Sequence, residues 1–160
     1  MLTLSRILIA LLLAGVALTA SAETNTKNAL QPFTAHYKGR ANGFAVGDLG
    51  ARELKALGGG RYRLQYTAEA LIYSLQETSE FTLADGLLQP QLYRSDRGTF
   101  MKRRKVSLDF DWDRNLASFD YKGETGQFNL QAGAQDPLSG SIVLAHLLLA
   151  GKPTIEYPAA

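Results

Sequence analysis

The stretch Asp136-Pro137-Leu138-Ser139-Gly140-Ser141-Ile142-Val143-Leu144-Ala145-His146-Leu147-Leu148-Leu149-Ala150-Gly151 decides the architecture. The Asp136 carboxylate can accept a hydrogen bond from an otherwise unpaired N–H and so suits the N-cap. Pro137 suits the first helical position, where no N–H is needed. Gly151 is a C-terminal stop, and Pro153 prevents continuation. On a helical wheel Leu138, Ile142 and Leu149 form one side, Val143 and Leu147 a second, Leu144 and Leu148 a third. Ser139 and His146 interrupt the apolar surface. A helix so apolar is expected to be buried. The remainder of the mature chain reads as strand, so a sheet must bury it.

Working outward, alternation marks the strands. Tyr62, Leu64, Tyr66, Ala68 and Ala70 share one face of Arg61–Ala70, with Arg61, Arg63, Gln65, Thr67 and Glu69 on the other. Phe33, Ala35 and Tyr37 alternate in residues 33–38. Residues 44–57 read as a long strand, with Gly47 and Gly50 marking bulges or close backbone approach. The segment 51–57 has helix propensity by itself. Gly58-Gly59-Gly60 then makes a tight connection to the next strand, which favours a strand there too. Leu75–Leu83 ends at the Ala84-Asp85-Gly86 turn. Pro90 is expected at a strand start or an edge, ahead of a short strand from Gln91 to Ser95. In Met101–Asp113, Val106, Leu108, Phe110 and Trp112 make an apolar face opposite Arg103, Lys105, Ser107, Asp109, Asp111 and Asp113. Two shorter strands follow, Leu116–Lys122 and Gln127–Gln131. Short Gly- and Asp-containing turns imply antiparallel hairpins, because parallel strands need long crossovers. One face of the sheet should be wet and the other apolar.

The chain of 160 residues is sufficient for one domain with a core. Residues 1–22 stand apart from it. Arg6 precedes an apolar run from Ile7 to Leu18, and Ala20-Ser21-Ala22 is a small-residue cleavage pattern. This predicts a signal peptide cleaved after Ala22 and a periplasmic location. The rival is a retained anchor, for which the run is short against the about 20 residues of a span. Residues 23–31 form a polar, flexible leader, and 32–160 a single β-rich domain. There is no cysteine, which excludes disulfides, thiol catalysis and Cys-ligated metal. Without Arg6 the chain has 16 basic residues against 15 acidic, too small an excess for a nucleic-acid binder. After signal cleavage, no integral membrane protein is expected.

Several constellations carry possible chemistry. Asp109-x-Asp111-x-Asp113 starts like a calcium loop, but the sixth and twelfth positions hold Arg114 and Asp120 where Gly and Glu are needed. A solvated strand face explains it better. Asp136, Ser139 and His146 are the residue types of a hydrolase triad. Ser139 and His146 are two helical turns apart, roughly 10 Å, beyond hydrogen-bond reach. A metal site from His36 and His146 lacks further ligands. No catalytic residue, metal or cofactor is therefore assigned. Arg94, Arg97, Lys102, Arg103, Arg104 and Lys105 make a basic cluster, either a solvated face or a patch for phosphate, lipopolysaccharide, anionic headgroups or a partner. Tyr62, Tyr66, Phe110, Trp112, Leu138, Ile142 and Leu149 either form plain core or line a ligand cavity between sheet and helix.

The order of short motifs completes this picture. Phe33-x-x-x-Tyr37-x-Gly39, Gly43-x-x-x-Gly47, Gly60-x-Tyr62-x-Leu64, Leu88-x-Pro90-x-x-Tyr93 and Asp136-Pro137-Leu138-Ser139 with its apolar helix resemble domain-of-unknown-function family 3108, exported bacterial proteins, over residues 32–157. The resemblance implies a mainly β fold: a strongly curved, half-barrel-like antiparallel sheet with the helix on its concave face, similar to periplasmic lipoprotein carriers. It implies no established activity. It also implies further strands after the helix, so the chain is expected to be C-terminally truncated, with Thr154–Tyr157 beginning a strand. The function expected is non-catalytic binding of an apolar or amphiphilic envelope ligand, a lipid for instance. The alternative is a structural or interaction protein of envelope assembly, meeting an envelope protein through a sheet edge or the basic strand.

Overall fold

A computed structural model of the chain describes residues 29–41, 44–149 and 151. The expected signal peptide, most of the leader and the strand at Thr154–Tyr157 lie outside these residues. Among the described residues eight strands follow in chain order: β1 (Phe33–Ala41), β2 (Phe44–Gly58), β3 (Arg61–Ala70), β4 (Tyr73–Ala84), β5 (Leu87–Thr99), β6 (Arg103–Asp111), β7 (Leu116–Tyr121) and β8 (Glu124–Asn129). One helix, α1 (Pro137–Leu149), comes after them. Each strand pairs antiparallel with its sequence neighbours in the spatial order β1 to β8, so β1 and β8 are the two edges of an open meander. No helix among the described residues is long and apolar enough to cross a membrane.

The alternation sorts side chains onto two faces, and the register lines them up in rows. One row of the inner face runs Leu54, Leu64, Ser79, Tyr93, Leu108, Phe119 across six strands. Beside it, toward the Gly58–Gly60 end, Tyr62, Phe81 and Pro90 are cross-strand partners, and Tyr62 stacks on Phe81 at 5.8 Å. Leu54, Leu64, Tyr93, Leu108, Tyr62 and Phe81 of these rows, with Phe110, Ala117, Leu130, Ala134 and Leu138, are the core, and Phe119 packs against it. Gly50 approaches the neighbouring strand closely, as its composition predicts. A Cβ there would stand 2.1 Å from the Thr67 carbonyl oxygen.

Three expectations are corrected. Pro90 is not at a strand start. It lies inside β5, ahead of the β5–β6 ladder that begins at Leu92, so it is paired on the β4 side alone, and a bulge absorbs it there: Glu80 faces Leu92 and Phe81 faces Pro90, leaving Gln91 as the extra residue. Proline lacks an N–H but keeps its carbonyl, and that oxygen accepts the Trp112 Nε1–H at 2.6 Å. The helix, secondly, is not buried along its length. Only Leu138, Ser139 and Gly140 are buried, and it packs on β4 and β5. Leu144, Leu148 and Leu149 are 37%, 60% and 89% exposed. The third concerns the polar strip on the helix: Ser139 is buried while His146 is exposed. The first turn is buried, Ser141 and Ile142 still touch the sheet, and the far end is open.

Candidate functional site

The anchor is built from the Asp136-Pro137-Leu138-Ser139 cap. Asp136 Oδ1 accepts the backbone N–H of Leu138 at 2.8 Å and of Ser139 at 3.0 Å. Ser139 Oγ returns the favour, accepting the Asp136 N–H at 3.1 Å, so two orphan ends are satisfied reciprocally. The other carboxylate oxygen accepts the Ser79 hydroxyl at 2.7 Å, which pins the helix start to β4. Burial pushes the Asp136 carboxyl above the ordinary carboxylate range, against the lowering pull of these hydrogen bonds. Two of the three triad residue types, Asp136 and Ser139, thus build the cap, and His146 lies out in solvent.

The next row outward marks where cover ends. It runs Arg52, Tyr66, Glu77, Ser95, Val106, Tyr121. Ser95 is buried, Tyr121 is exposed and the other four are half-buried. One row further, Gly50, Ala68, Leu75, Arg97 and Arg104 are half-buried or exposed. Tyr37 on β1 stands edge-on to Tyr66 at 6.0 Å and is 43% exposed. Half of the inner face is therefore an open, partly aromatic surface.

Two charged side chains sit on that boundary, in phase with apolar neighbours. Glu77 accepts the Tyr93 hydroxyl at 2.6 Å and the Ser95 hydroxyl at 3.4 Å. Burial and then Glu77 drive the Tyr93 phenol well above its usual range. Arg52 has no such arrangement. One terminal nitrogen donates to the Ser141 hydroxyl, but its Nε–H is buried without an acceptor. No ion pair involves it among the described residues. Ser141 lies on the helix stripe that continues to Leu144 and Leu148 at i+3 and i+7, both exposed. A half-covered guanidinium with a spare donor is thus flanked by Tyr66 and by apolar helix residues.

This open surface, with its capped helix lying on an eight-stranded meander, is what the Asp-Pro-Leu-Ser motif and the strand order lead to. A family model described as protein of unknown function (DUF3108) matches residues 26–160. The chain belongs to the DUF3108 family. No curated protein and no solved structure matches it.

In this DUF3108 domain the cavity candidates separate. Tyr62, Phe110 and Leu138 are core, and Tyr66, Trp112 and Ile142 pack against it, with Phe110 and Trp112 stacked at 6.3 Å. Leu149 is far from them in environment, almost fully exposed. The basic cluster also separates, because neighbours in sequence point to opposite faces. Arg94, Arg103 and Lys105 line an outer-face cleft of about 740 Å³ with Asp96, Asp120 and Lys122. Arg94 pairs with Asp109 at 2.9 Å and Arg103 with Asp96 at 2.7 Å, so much of that charge is neutralised. Arg97, Lys102 and Arg104 line a separate cleft of about 470 Å³ with Tyr73. Asp111 accepts the Arg114 N–H and Nε–H, closing the β6–β7 turn, which lowers its pKa. Among the described residues no group of three potential ligands could hold a metal ion.

Arg52, Ser79 and Glu77 escape a reading that looks for clusters. Their signal is phase. Arg52 is two residues from Leu54, and Glu77 and Ser79 are four and two from Phe81, so all three belong to apolar faces.

Proposed function

We propose that this domain is a non-catalytic, exported periplasmic protein that holds an anionic amphiphile on the open half of its inner face, beside the helix. Arg52 carries the reading. A guanidinium withdrawn from water without an acid partner is costly, and a carboxylate or phosphate headgroup would remove that cost. Tyr66, Leu75, Val106 and the exposed Leu144–Leu148 stripe offer apolar surface to an acyl chain. In this reading the sheet bends around the chain as the half-barrel likeness implies, with the helix along the concave side. The acids of the face support binding over catalysis: Asp136 is committed to the cap and Glu77 to Tyr93 and Ser95. The apolar run Ile7–Leu18 with its Ala20-Ser21-Ala22 site supports export.

Titration with a fluorescent fatty acid tests this. Saturable binding is expected, weakened at least tenfold by Arg52→Gln, about 1.4 kcal/mol. The fatty alcohol of equal length should bind weakly and ignore the substitution. Absence of saturable binding, or equal affinity in wild type and Arg52→Gln, sinks the proposal.

A second reading, an interaction protein of envelope assembly, is favoured by β8, which among the described residues pairs only with β7 and leaves one strand edge available, and by the basic strand β6. Crosslinking in the periplasm tests it. A partner lost on charge reversal of Arg103 and Arg104 supports it, and no reproducible partner removes it.

A further inference from the structure

Among the described residues, the same end of the sheet carries three hairpin turns: Leu71-Ile72 between β3 and β4, Phe100-Met101 between β5 and β6, and Lys122-Gly123 between β7 and β8. Tyr73 and Thr99 are cross-strand partners, which places the first two turns side by side. Their four apolar residues are strongly exposed, at 107%, 78%, 92% and 88% for Leu71, Ile72, Phe100 and Met101. The backbone is bent to present them. Leu71 has φ 53°, a conformation that suits Asn or Gly and opposes a bulky side chain. Among the described residues the other non-glycine positions with positive φ are Asp85, Asn115 and Lys122, all polar. In the second turn Thr99 and Lys102 exchange backbone hydrogen bonds at 3.0 and 3.3 Å. Gly98 is needed beneath it, since a Cβ would stand 2.1 Å from the Lys102 carbonyl oxygen. Neither tip is loose chain that happens to be apolar.

The tips are ringed by positive charge. Arg97 and Arg104 are directly opposed across β5 and β6, a like-charge pairing that a bare sheet disfavours. Both line the cleft with Lys102 and Tyr73. Lys122 lies 4.6 Å over the Tyr121 ring. Within residues 96–104 the sole acid is Asp96, and it is paired with Arg103. Glu69, Asp120 and Glu124 are nearby acids that face solvent, and Asp120 is engaged by the Gly123 N–H. Apolar points surrounded by cations match the two layers of an anionic bilayer, hydrocarbon beneath phosphate. A protein partner would call for a broad surface, and four side chains on convex turns do not make one.

We propose that the β3–β4 and β5–β6 hairpin tips dock the domain on an anionic phospholipid surface, Leu71, Ile72, Phe100 and Met101 entering the acyl region and Arg97, Lys102 and Arg104 meeting phosphates. The test is cosedimentation of the full chain with phosphatidylglycerol–phosphatidylethanolamine vesicles and with phosphatidylcholine vesicles. Wild type and variants carry the same residues 1–28, so differences between them isolate the tips. Binding to the anionic vesicles is expected to exceed that to neutral ones at least tenfold. Leu71→Asn with Ile72→Gly, a pair suited to positive φ, should cut it at least tenfold while the circular dichroism spectrum is kept. Phe100→Ser with Met101→Ser should do the same, and Arg97→Gln with Arg104→Gln should flatten the salt dependence. Brominated lipid should quench a Trp placed by Phe100→Trp and spare Trp112, which lies past the opposite end of β6. Unchanged binding in folded tip variants, equal binding to both vesicle types, or no binding by wild type overturns the proposal.

Discussion

Replacing Asp136 by alanine tests how the helix is held. The substitution removes a cap that accepts two backbone N–H groups, worth about 1 kcal/mol and up to about 2. It also strands the Ser79 hydroxyl, which is fully buried and has Asp136 as its acceptor, at about 1–3 kcal/mol. One effect opposes these. The raised pKa means that the carboxylate itself is disfavoured by burial, and alanine relieves that cost at neutral pH. A net loss of about 2 kcal/mol is expected, roughly 6–10 °C in melting temperature for a domain of this size. Urea denaturation followed by Trp112 fluorescence measures it. Asp136→Asn keeps the cap and should lose less than about 1 kcal/mol. Ser79→Ala combined with Asp136→Ala should cost less than the two single losses added, because one hydrogen bond is shared. A loss below about 0.5 kcal/mol for Asp136→Ala would refute the view that this carboxylate anchors the helix.

Further outcomes follow from the same geometry. Because Asp136 has its pKa raised on folding, its contribution to stability is fullest below the ordinary carboxylate pKa of about 3.9 and is lost as pH rises through the folded value. The stability of wild type relative to Asp136→Asn should therefore fall between acid and neutral pH, as pH-dependent urea melts would read. Gly50→Ala should destabilise by about 1–3 kcal/mol in thermal denaturation, since β2 and β3 must separate to admit the Cβ against the Thr67 carbonyl. Trp112→Phe leaves the Pro90 carbonyl without its indole donor and should cost about 1–2 kcal/mol by circular dichroism melting.

The local rules are legible where one residue type does one job. Asp136-Pro137 announces a helix start, and the start is where it should be. Tyr62-x-Leu64-x-Tyr66 announces a face, and the face is inner. Pro90 misleads because a bulge is a cooperative property of two strands, and β4 supplies half of it. The helix misleads for a different reason. Its apolar residues say that burial would be favourable, yet whether a partner exists depends on surfaces elsewhere. The basic run 102–105 reads as one patch in sequence, but a strand sends alternate residues to opposite faces, so Arg103 and Arg104 part company. Arg52 is concealed by its ordinary neighbours Glu53 and Lys55. Its unsatisfied Nε–H emerges only when Ser141 is brought across from a position 89 residues away.

The open inner face is probed most directly by a photoactivatable fatty acid, crosslinked to the purified chain and mapped by mass spectrometry. Labels are expected on Tyr66, Leu75, Val106 and the Leu144–Leu148 stripe, and they should fade on competition with unlabelled fatty acid and in Arg52→Gln. Labels confined to outer-face residues such as Thr78, Ser107 and Asp120, or labelling that no competitor reduces, would contradict it.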